Sequence, residues 1–514
     1  MTTWYFDSAN GSDGNNGTSS STPKKNYDAF TFGSASPGDT YLFKRGTTQT
    51  IVTSFKDARS GASNTSRTRY GAYGEAQVPY SIWINPSAIG NMILNVSGRS
   101  YIDFEDMYFD GQAVCLYSLY MFASGTTPCN GHRVARCYFT NMAITGSGLV
   151  IGGTATSTGQ TTDYLIEDCH FFRNPTHGML VNGANGVVVR RCKFYENGFN
   201  AAAGGHGFSA KFRRTDATSG WTNATGRIWQ RGLASYEPEV YYVKTKVSGF
   251  QRLFRTGGTQ TTPDVGEFGV NAGVLYINLN STSNPNSQGI NYAWGRCYNI
   301  VVEDCESYEN IWDTTAPDHE GHGFAFDDYT ELSIFRRNKS HDNQGSGFSV
   351  NRGDNNTLES NIAYGNWLAG MSAAACYGTT VKHNTFFDNN QGRGAYDGDI
   401  VFFTYAKNGV ISNNILSGRR AYGVYVDSTC TGFSGRNNNT YGYSAPERGS
   451  ALTGTITDNP LLDTRYRPRA VSLKRAGAYL GGRDFSGETF HNPPSIGAVD
   501  TAAEPPARYL FVRP

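Results

Sequence analysis

The chain has 514 residues, of which 61 are Gly, with 17% charged and 13% aromatic residues. That balance excludes a coiled coil, a charged disordered chain and a mainly helical enzyme, and at about 150 residues per domain the length asks for either about three domains or one elongated architecture. Lys and Arg number 44 against 43 Asp and Glu, so a net charge of +1 gives no general footprint for nucleic acid or an anionic membrane, and a charged ligand has to be met by a local patch.

In chain order, Met1-Thr2-Thr3-Trp4-Tyr5-Phe6-Asp7 has no basic start and no apolar core of signal-peptide length, and no bilayer-spanning apolar run follows. The expectation is a soluble protein, made without secretion and without membrane insertion. Residues 1–100 are polar and rich in Gly and Ser, with short strand-like runs such as Thr40-Tyr41-Leu42-Phe43-Lys44, and are expected to form an N-terminal cap and first irregular coils.

From residue 101 to 440 a repeat takes over. Tyr164-Leu165-Ile166-Glu167-Asp168-Cys169 returns as Val187-Val188-Val189-Arg190-Arg191-Cys192 and as Ile300-Val301-Val302-Glu303-Asp304-Cys305. The Cys column continues as Asn338, Asn361 and Asn384, spaced 23 residues from one another, as Cys192 is from Cys169; Met107 and Cys137 fit it upstream and Asn414 downstream. Five residues after its members stands a second column, Asn174, Asn197, Asn310, Asn343, Asn366 and Asn389. Each unit then reaches a Gly followed by alternating residues, as in Gly178-Met179-Leu180-Val181, Gly207-Phe208-Ser209-Ala210, Gly323-Phe324-Ala325-Phe326 and Gly347-Phe348-Ser349-Val350. Alternation of period two means strand, and a repeat near 23 residues with stacked Asn or Cys inside and Gly at the corners is what a parallel β-solenoid requires. The nine cysteines, odd in number and partly in one interior column, read as reduced core residues.

Between Lys211 and Tyr298 the repeat is interrupted, and Glu239-Val240-Tyr241-Tyr242-Val243 and Gly273-Val274-Leu275-Tyr276-Ile277 mark a β-insertion over 212–296. Residues 441–514 lose the pattern and read as a C-terminal cap.

Alternation also places candidate chemistry. The fourth residue after each corner Gly points outward and reads Asn182, Lys211, Asp327, Asn351 and Ala374; the residue before it reads His177, His206, His322, Ser346 and Ala369. With the insertion looped out, His206, His322, Lys211, Asp327 and Asp328 share one exposed patch. The longest coil loop leads into it, carrying Trp312, Asp313, Asp318, His319 and Glu320, and the next coil adds His341, Asp342, Arg352 and Asp354 on the same side. Glycoside hydrolysis needs two carboxyl groups about 5 to 9 Å apart, for which Glu320 with Asp327 or Asp328 are the candidates, His322 and Lys211 tuning them. Elimination from a uronate needs a base, Lys211 or His206, with Arg213, Arg214, Arg352 or a metal neutralising the carboxylate. His177, Asn182, Asn351 and Asp354 are expected to bind substrate, and Trp229, Trp312, Tyr329 and Tyr405 to offer stacking platforms for sugars. Simpler readings compete: the histidines as turn residues, and Lys211 with Asp327 as a rung-to-rung ion pair worth about 0 to 1 kcal/mol. The segment His319-Glu320-Gly321-His322 is no zinc motif, since Gly lies within it in a loop-and-strand context.

The chain resembles the right-handed parallel β-helix proteins of the pectate-lyase-like superfamily. The resemblance rests on the opening Tyr5-Phe6-Asp7 through Gly11-Ser12-Asp13, Gly17-Thr18 and Thr22-Pro23-Lys24-Lys25, on Pro37-Gly38-Asp39-Thr40 with Phe43-Lys44-Arg45-Gly46, on Gly266-Glu267-Phe268 in the insertion, and on Asp458-Asn459-Pro460 through Ile496-Gly497-Ala498-Val499-Asp500. It departs where Ser472-Leu473-Lys474-Arg475 replaces the small turn common before the final cap. The resemblance implies an all-β, single-stranded right-handed parallel β-helix and a depolymerase of a bacterial surface polysaccharide. The phage tailspike type implies a virion protein assembled in the host cytoplasm, acting outside the cell as a homotrimer. Hydrolysis stands ahead of elimination because carboxylates outnumber basic groups in the cluster; a non-catalytic glycan adhesin is the other class. No cofactor is expected, with a calcium ion reserved for the lyase reading.

Overall fold

A computed structural model describes residues 1–501 except Ser54 and residues 77–79, 87–90, 126, 154–160, 200–204, 213–214, 218, 234–241, 246–250, 256–260, 262, 264–266, 280–283, 289, 294–295, 312–320 and 393–396. Each coil contributes one short strand to each of three parallel sheets. Thr162–Glu167, His170–Phe172 and Met179–Asn182 make one coil, and Asn185–Arg190, Lys193–Tyr195 and Phe208–Lys211 stack on it in parallel register. In this way sheet 1 extends from Thr3–Phe6 to Ser434–Arg436, sheet 2 from Thr48–Thr50 to Asn439–Tyr441, and sheet 3 from Lys56–Asp57 to Ala445–Arg448. The chain is a single-stranded parallel β-helix. Its regular ladder begins at residue 3, inside the segment the sequence assigns to irregular coils, because Thr3–Phe6 already pairs with Thr40–Phe43.

Two features of the repeat explain this shape. Sheet 1 passes to sheet 2 through one residue in the left-handed region, such as Asp168, Arg191, Asp304 and Arg337 with φ of 53° to 56°, followed by the inward Cys or Asn. Such a backbone costs about 1 to 2 kcal/mol per non-Gly residue, and the inner ladder offsets it. Asn338 donates its backbone N–H and its side-chain amide to Oδ1 of Asn361 at 2.9 and 3.2 Å, and Asn361 does the same to Asn384. The thiol takes the same acceptor role in the same column, since Cys192 N–H meets Sγ of Cys305 at 3.3 Å while Cys305 N–H meets Oδ1 of Asn338 at 3.0 Å. The second column, Asn174 to Asn389, is bonded likewise. All nine cysteines are buried and none forms a disulfide. The second feature is the corner Gly: a Cβ on Gly178, Gly207 or Gly323 would come within 2.6 to 2.8 Å of the carbonyl oxygen of the next corner Gly.

Inside, Phe109, Phe139, Phe171 and Phe194 stack at 4.8 to 5.2 Å between ring centres. Outside sheet 1, parallel register would stack like upon like, and charge alternates instead: Glu167, Arg190, Glu303, Arg336, Glu359 and Lys382 form one row. Burial pushes the Glu167 carboxyl up, but Arg190, Arg133 and Arg191 outweigh it and hold it at about 2.

The insertion leaves between sheet 3 and sheet 1 without breaking register, since Phe208–Ala210 pairs with Phe324–Phe326 across it. Its strands, from Thr215–Ala217 to Ile290–Ala293, form a separate sheet over a core of Trp221, Val243, Leu253, Phe268, Leu275 and Ile277. The C-terminal segment first lies over the last coil, Thr453 bridging Arg436 and Ile456 bridging Asn439, and then folds back along the helix side. Leu473 and Ile496 pack on Ile415, Phe490 stacks on His383, and Ala498 N–H reaches Thr385 Oγ1 at 2.9 Å.

Candidate functional site

On sheet 3 the outward row Asn182, Lys211, Asp327, Asn351, Ala374 is continuous through the strand register. The histidine column stands at the opposite end of the same strands. His177 and His206 stack at 5.2 Å between ring centres, and His206 and His322 at 5.0 Å. Each ring reaches along its strand toward the outward row of the next coil. His177 Nε2 lies 3.3 Å from Lys211 Nζ, and His206 Nε2 lies 3.3 Å from Asp327 Oδ2. Ser209, the outward residue between them, donates its hydroxyl to the same Oδ2 at 3.0 Å.

His206, His322, Lys211 and Asp327 are thus brought together as the sequence leads one to expect, but not on an open patch. His177 and His206 are 5% and 2% exposed, because the rings lie flat against the strands and against one another. The rung-to-rung ion pair of Lys211 with Asp327 does not form; the partner of Asp327 is His206, and Lys211 turns to His177. Burial pushes the Asp327 carboxyl up, yet the His206 hydrogen bond and the charges of His206, Lys211 and His322 prevail and hold it well below the usual carboxylate range. Asp328 accepts from Arg352 at 2.6 Å, which commits both groups to each other.

Several expected site residues stand elsewhere. His341 and Asp342 lie on sheet 2, where His341 is stacked between Tyr308 and Tyr364 and bonded to Asp342 and Glu306; they precede the bend into sheet 3 and so fall on the neighbouring face. Asp354 is buried beyond the far end of sheet 3 and accepts the N–H of Tyr377 at 3.1 Å, a role in the bend rather than at the histidines. Tyr329 is 1% exposed and Trp229 packs on the insertion core, so neither offers a ring face to a sugar. Asn182 and Asn351 flank Lys211 and Asp327 in the row. Trp312, Asp313, Asp318, His319, Glu320, Arg213 and Arg214 lie outside the described residues. Sequence reasoning missed Ser209, although its place two residues after the corner Gly marks it as outward. Among the described residues no group of three or more His, Cys, Asp or Glu could hold a metal ion. With Asp327 given to an imidazole and a hydroxyl, and Asp328 to a guanidinium, the described carboxylates do not form an oxygen cage of the kind calcium needs.

The partners of each ring nitrogen define the protonation pattern. Nδ1 of His177 accepts the N–H of His206 at 3.2 Å, Nδ1 of His206 that of His322 at 3.3 Å, and Nδ1 of His322 that of Ser346 at 2.8 Å. A nitrogen that accepts cannot carry the ring proton, so each neutral ring bears it on Nε2. For His206 this is also what the carboxylate of Asp327 demands. Both nitrogens of His206 are therefore in use, and its neutral ring has no lone pair left for a substrate proton.

A family model described as "Right handed beta helix region" matches residues 270–440. The chain is a right-handed parallel β-helix. Among solved structures it is similar to the A-module of the mannuronan C-5 epimerase AlgE6 of Azotobacter vinelandii, at 13% identity and a TM-score of 0.53 over 83% of this chain and 92% of that one. It is also similar to XylC, solved in complex with xylose, at 9% identity and a TM-score of 0.51 over 98% of both chains. No curated protein sequence matches it.

Proposed function

We propose that this β-helix is a polysaccharide-active enzyme that removes the proton beside the carboxylate of a uronate residue, with Lys211 as the base. The observation that carries this reading is the commitment of the competing groups beside Lys211: His206 is bonded at both nitrogens, Asp327 to His206 and Ser209, and Asp328 to Arg352. In β-elimination Lys211 takes the proton, the C–H electron pair becomes the new double bond, the glycosidic C–O bond breaks, and the departing oxygen takes a proton from water or back from Lys211. Arg213 and Arg214, two and three residues after Lys211 in the sequence, are the proposed carboxylate clamp. Removal of the same proton begins C-5 epimerisation, the activity named for the Azotobacter module.

Hydrolysis is the second reading. One observation favours it: Asp327 is held ionised, as a nucleophile or base must be. It then requires Glu320 as the protonated partner. Comparing Lys211→Met with Glu320→Gln separates the two. The elimination reading predicts that Lys211→Met lowers kcat by about 100-fold or more while Glu320→Gln keeps most activity, and the reverse ranking supports hydrolysis. The substrate we propose is an extended bacterial surface glycan lying along the solenoid, as a phage tailspike would use. The trimer that belongs to that setting predicts a light-scattering mass of three times 56.1 kDa.

A further inference from the structure

Toward the N-terminal end of sheet 3, the face that holds Lys211 carries aromatic rings. In strand Cys115–Phe122 the side chains of Tyr117, Tyr120 and Phe122 are partly exposed and stack as a slab. The ring centres of Tyr120 and Phe122 stand 4.3 Å apart with 9° between their planes, and those of Tyr117 and Tyr120 5.3 Å apart with 26°. Parallel register puts this slab in line with the candidate site. Phe122 pairs with Gly152, Gly152 with Asn182 and Asn182 with Lys211, so Phe122 stands in the outward row of Lys211; Tyr120, through Val150 and Leu180, stands in that of Ser209. Three coil spacings of about 4.8 Å put the strand position of Phe122 about 14 Å from that of Lys211.

The row omits a side chain where the ring needs room. Gly152 stands where the following coils carry Asn182, Lys211, Asp327 and Asn351, and a Cβ there would come within 2.6 Å of the Asn182 carbonyl oxygen and of Cζ of Phe122. The Phe122 ring therefore leans over Gly152, toward the coils of the candidate site. The next coils do not extend the slab, since their outward positions hold Val150 and Gly152, then Leu180 and Asn182. An aromatic surface beside a polar row suits a ligand with both kinds of surface, and a pyranose ring has them: an apolar C–H face and a rim of hydroxyls.

We propose that Phe122, backed by Tyr120 and Tyr117, is a stacking platform for one pyranose ring of the glycan, about three units along the chain from the unit at Lys211. An extended glycan advances by about one unit per coil spacing, and Asn182 lies under the units between. The inference deepens the reading above and rests on a glycan lying along sheet 3, but not on Lys211 being the base.

The test is affinity electrophoresis of the full chain in gels cast with each of a panel of uronate-containing bacterial polysaccharides. At least one glycan should retard the wild-type protein. Phe122→Leu, which keeps bulk but loses the ring, should raise the Kd by about tenfold, and Phe122→Tyr should stay within about twofold of wild type. Retardation by none of the panel, equal binding by wild type and Phe122→Leu, or equal loss in both variants would overturn the proposal. So would a lower light-scattering mass for Phe122→Leu than for wild type, which would make the slab a contact between copies. Oligosaccharides of a cleaved glycan supply the second arm: Phe122→Leu should raise KM for hexamers and leave it unchanged for trimers, because about four units are needed to span the two positions, and an equal rise for trimers would overturn the platform. The gel needs no turnover, so a wrong choice of reaction would appear as ring-dependent binding by a protein that eliminates nothing.

Discussion

Asp399 shows how one residue can work against its surroundings. Ile400 pairs with Met371, so Asp399 falls in the corner row of Gly370. The carboxyl is 3% exposed and takes the hydroxyl of Tyr443. Burial raises it to about 6 against the opposing bonds from Tyr443 and Asn389. A raised carboxyl contributes stability that is complete below its unfolded value near 4 and lost as pH rises through about 6. At neutral pH the charge is therefore a burden of about 3 kcal/mol at most. Asp399→Asn should raise the unfolding temperature at neutral pH and leave it nearly unchanged near pH 4, as thermal denaturation followed at both pH values would show. At this scale the sequence was legible where side chains stack in line. The row Asn182, Lys211, Asp327 follows from counting residues after a Gly. The pairing of His206 with Asp327 does not, because the ring runs diagonally to a residue 121 positions further on, whose carboxylate also takes the Ser209 hydroxyl.

At the level of the strand, the amide ladders were legible because identical residues recur at constant spacing. The alternating charges of sheet 1 were equally present, two residues before each Cys or Asn of the first column, but a search for sameness passes over a row whose members change sign. That row makes its own prediction. Glu303 accepts from Arg336 at 2.7 Å and from Arg337 at 2.9 Å, with Arg190 in register on its other side. Glu303→Lys would set a cation among three arginines and should cost about 1 kcal/mol or more, an effect that weakens with added salt. Adding Arg336→Glu should restore much of the loss. Unfolding temperatures of the two variants at low and high salt check this, and a loss that the second change does not relieve would mean that packing rather than charge sets the cost.

For the whole molecule, buried histidines set the response to acid. Burial lowers His132 to about 4 and His383 to about 3, and His177 lies well below its usual range. A lowered histidine contributes stability that is complete above its unfolded value near 6.5 and lost as pH falls toward the folded value. Three such groups outweigh the opposite trend of Asp399, so the unfolding temperature should fall steadily between about pH 6.5 and pH 4, and His132→Gln should flatten that slope. A flat profile in the wild-type protein would contradict it. The architecture was readable at this scale because one coil, repeated, dictates the fold. The course of the C-terminal segment was not, since its contacts with Thr385, Asn413 and Ile415 join parts of the chain that share no pattern.

The central claim is that Lys211 takes a proton from a uronate. The most direct measurement is to incubate the protein with a panel of uronate-containing bacterial polysaccharides and follow new reducing ends together with the ultraviolet absorbance of unsaturated uronate. The account predicts both signals from the wild-type protein and neither from Lys211→Met. Reducing ends without the absorbance would contradict it and point to hydrolysis through Glu320 and Asp327.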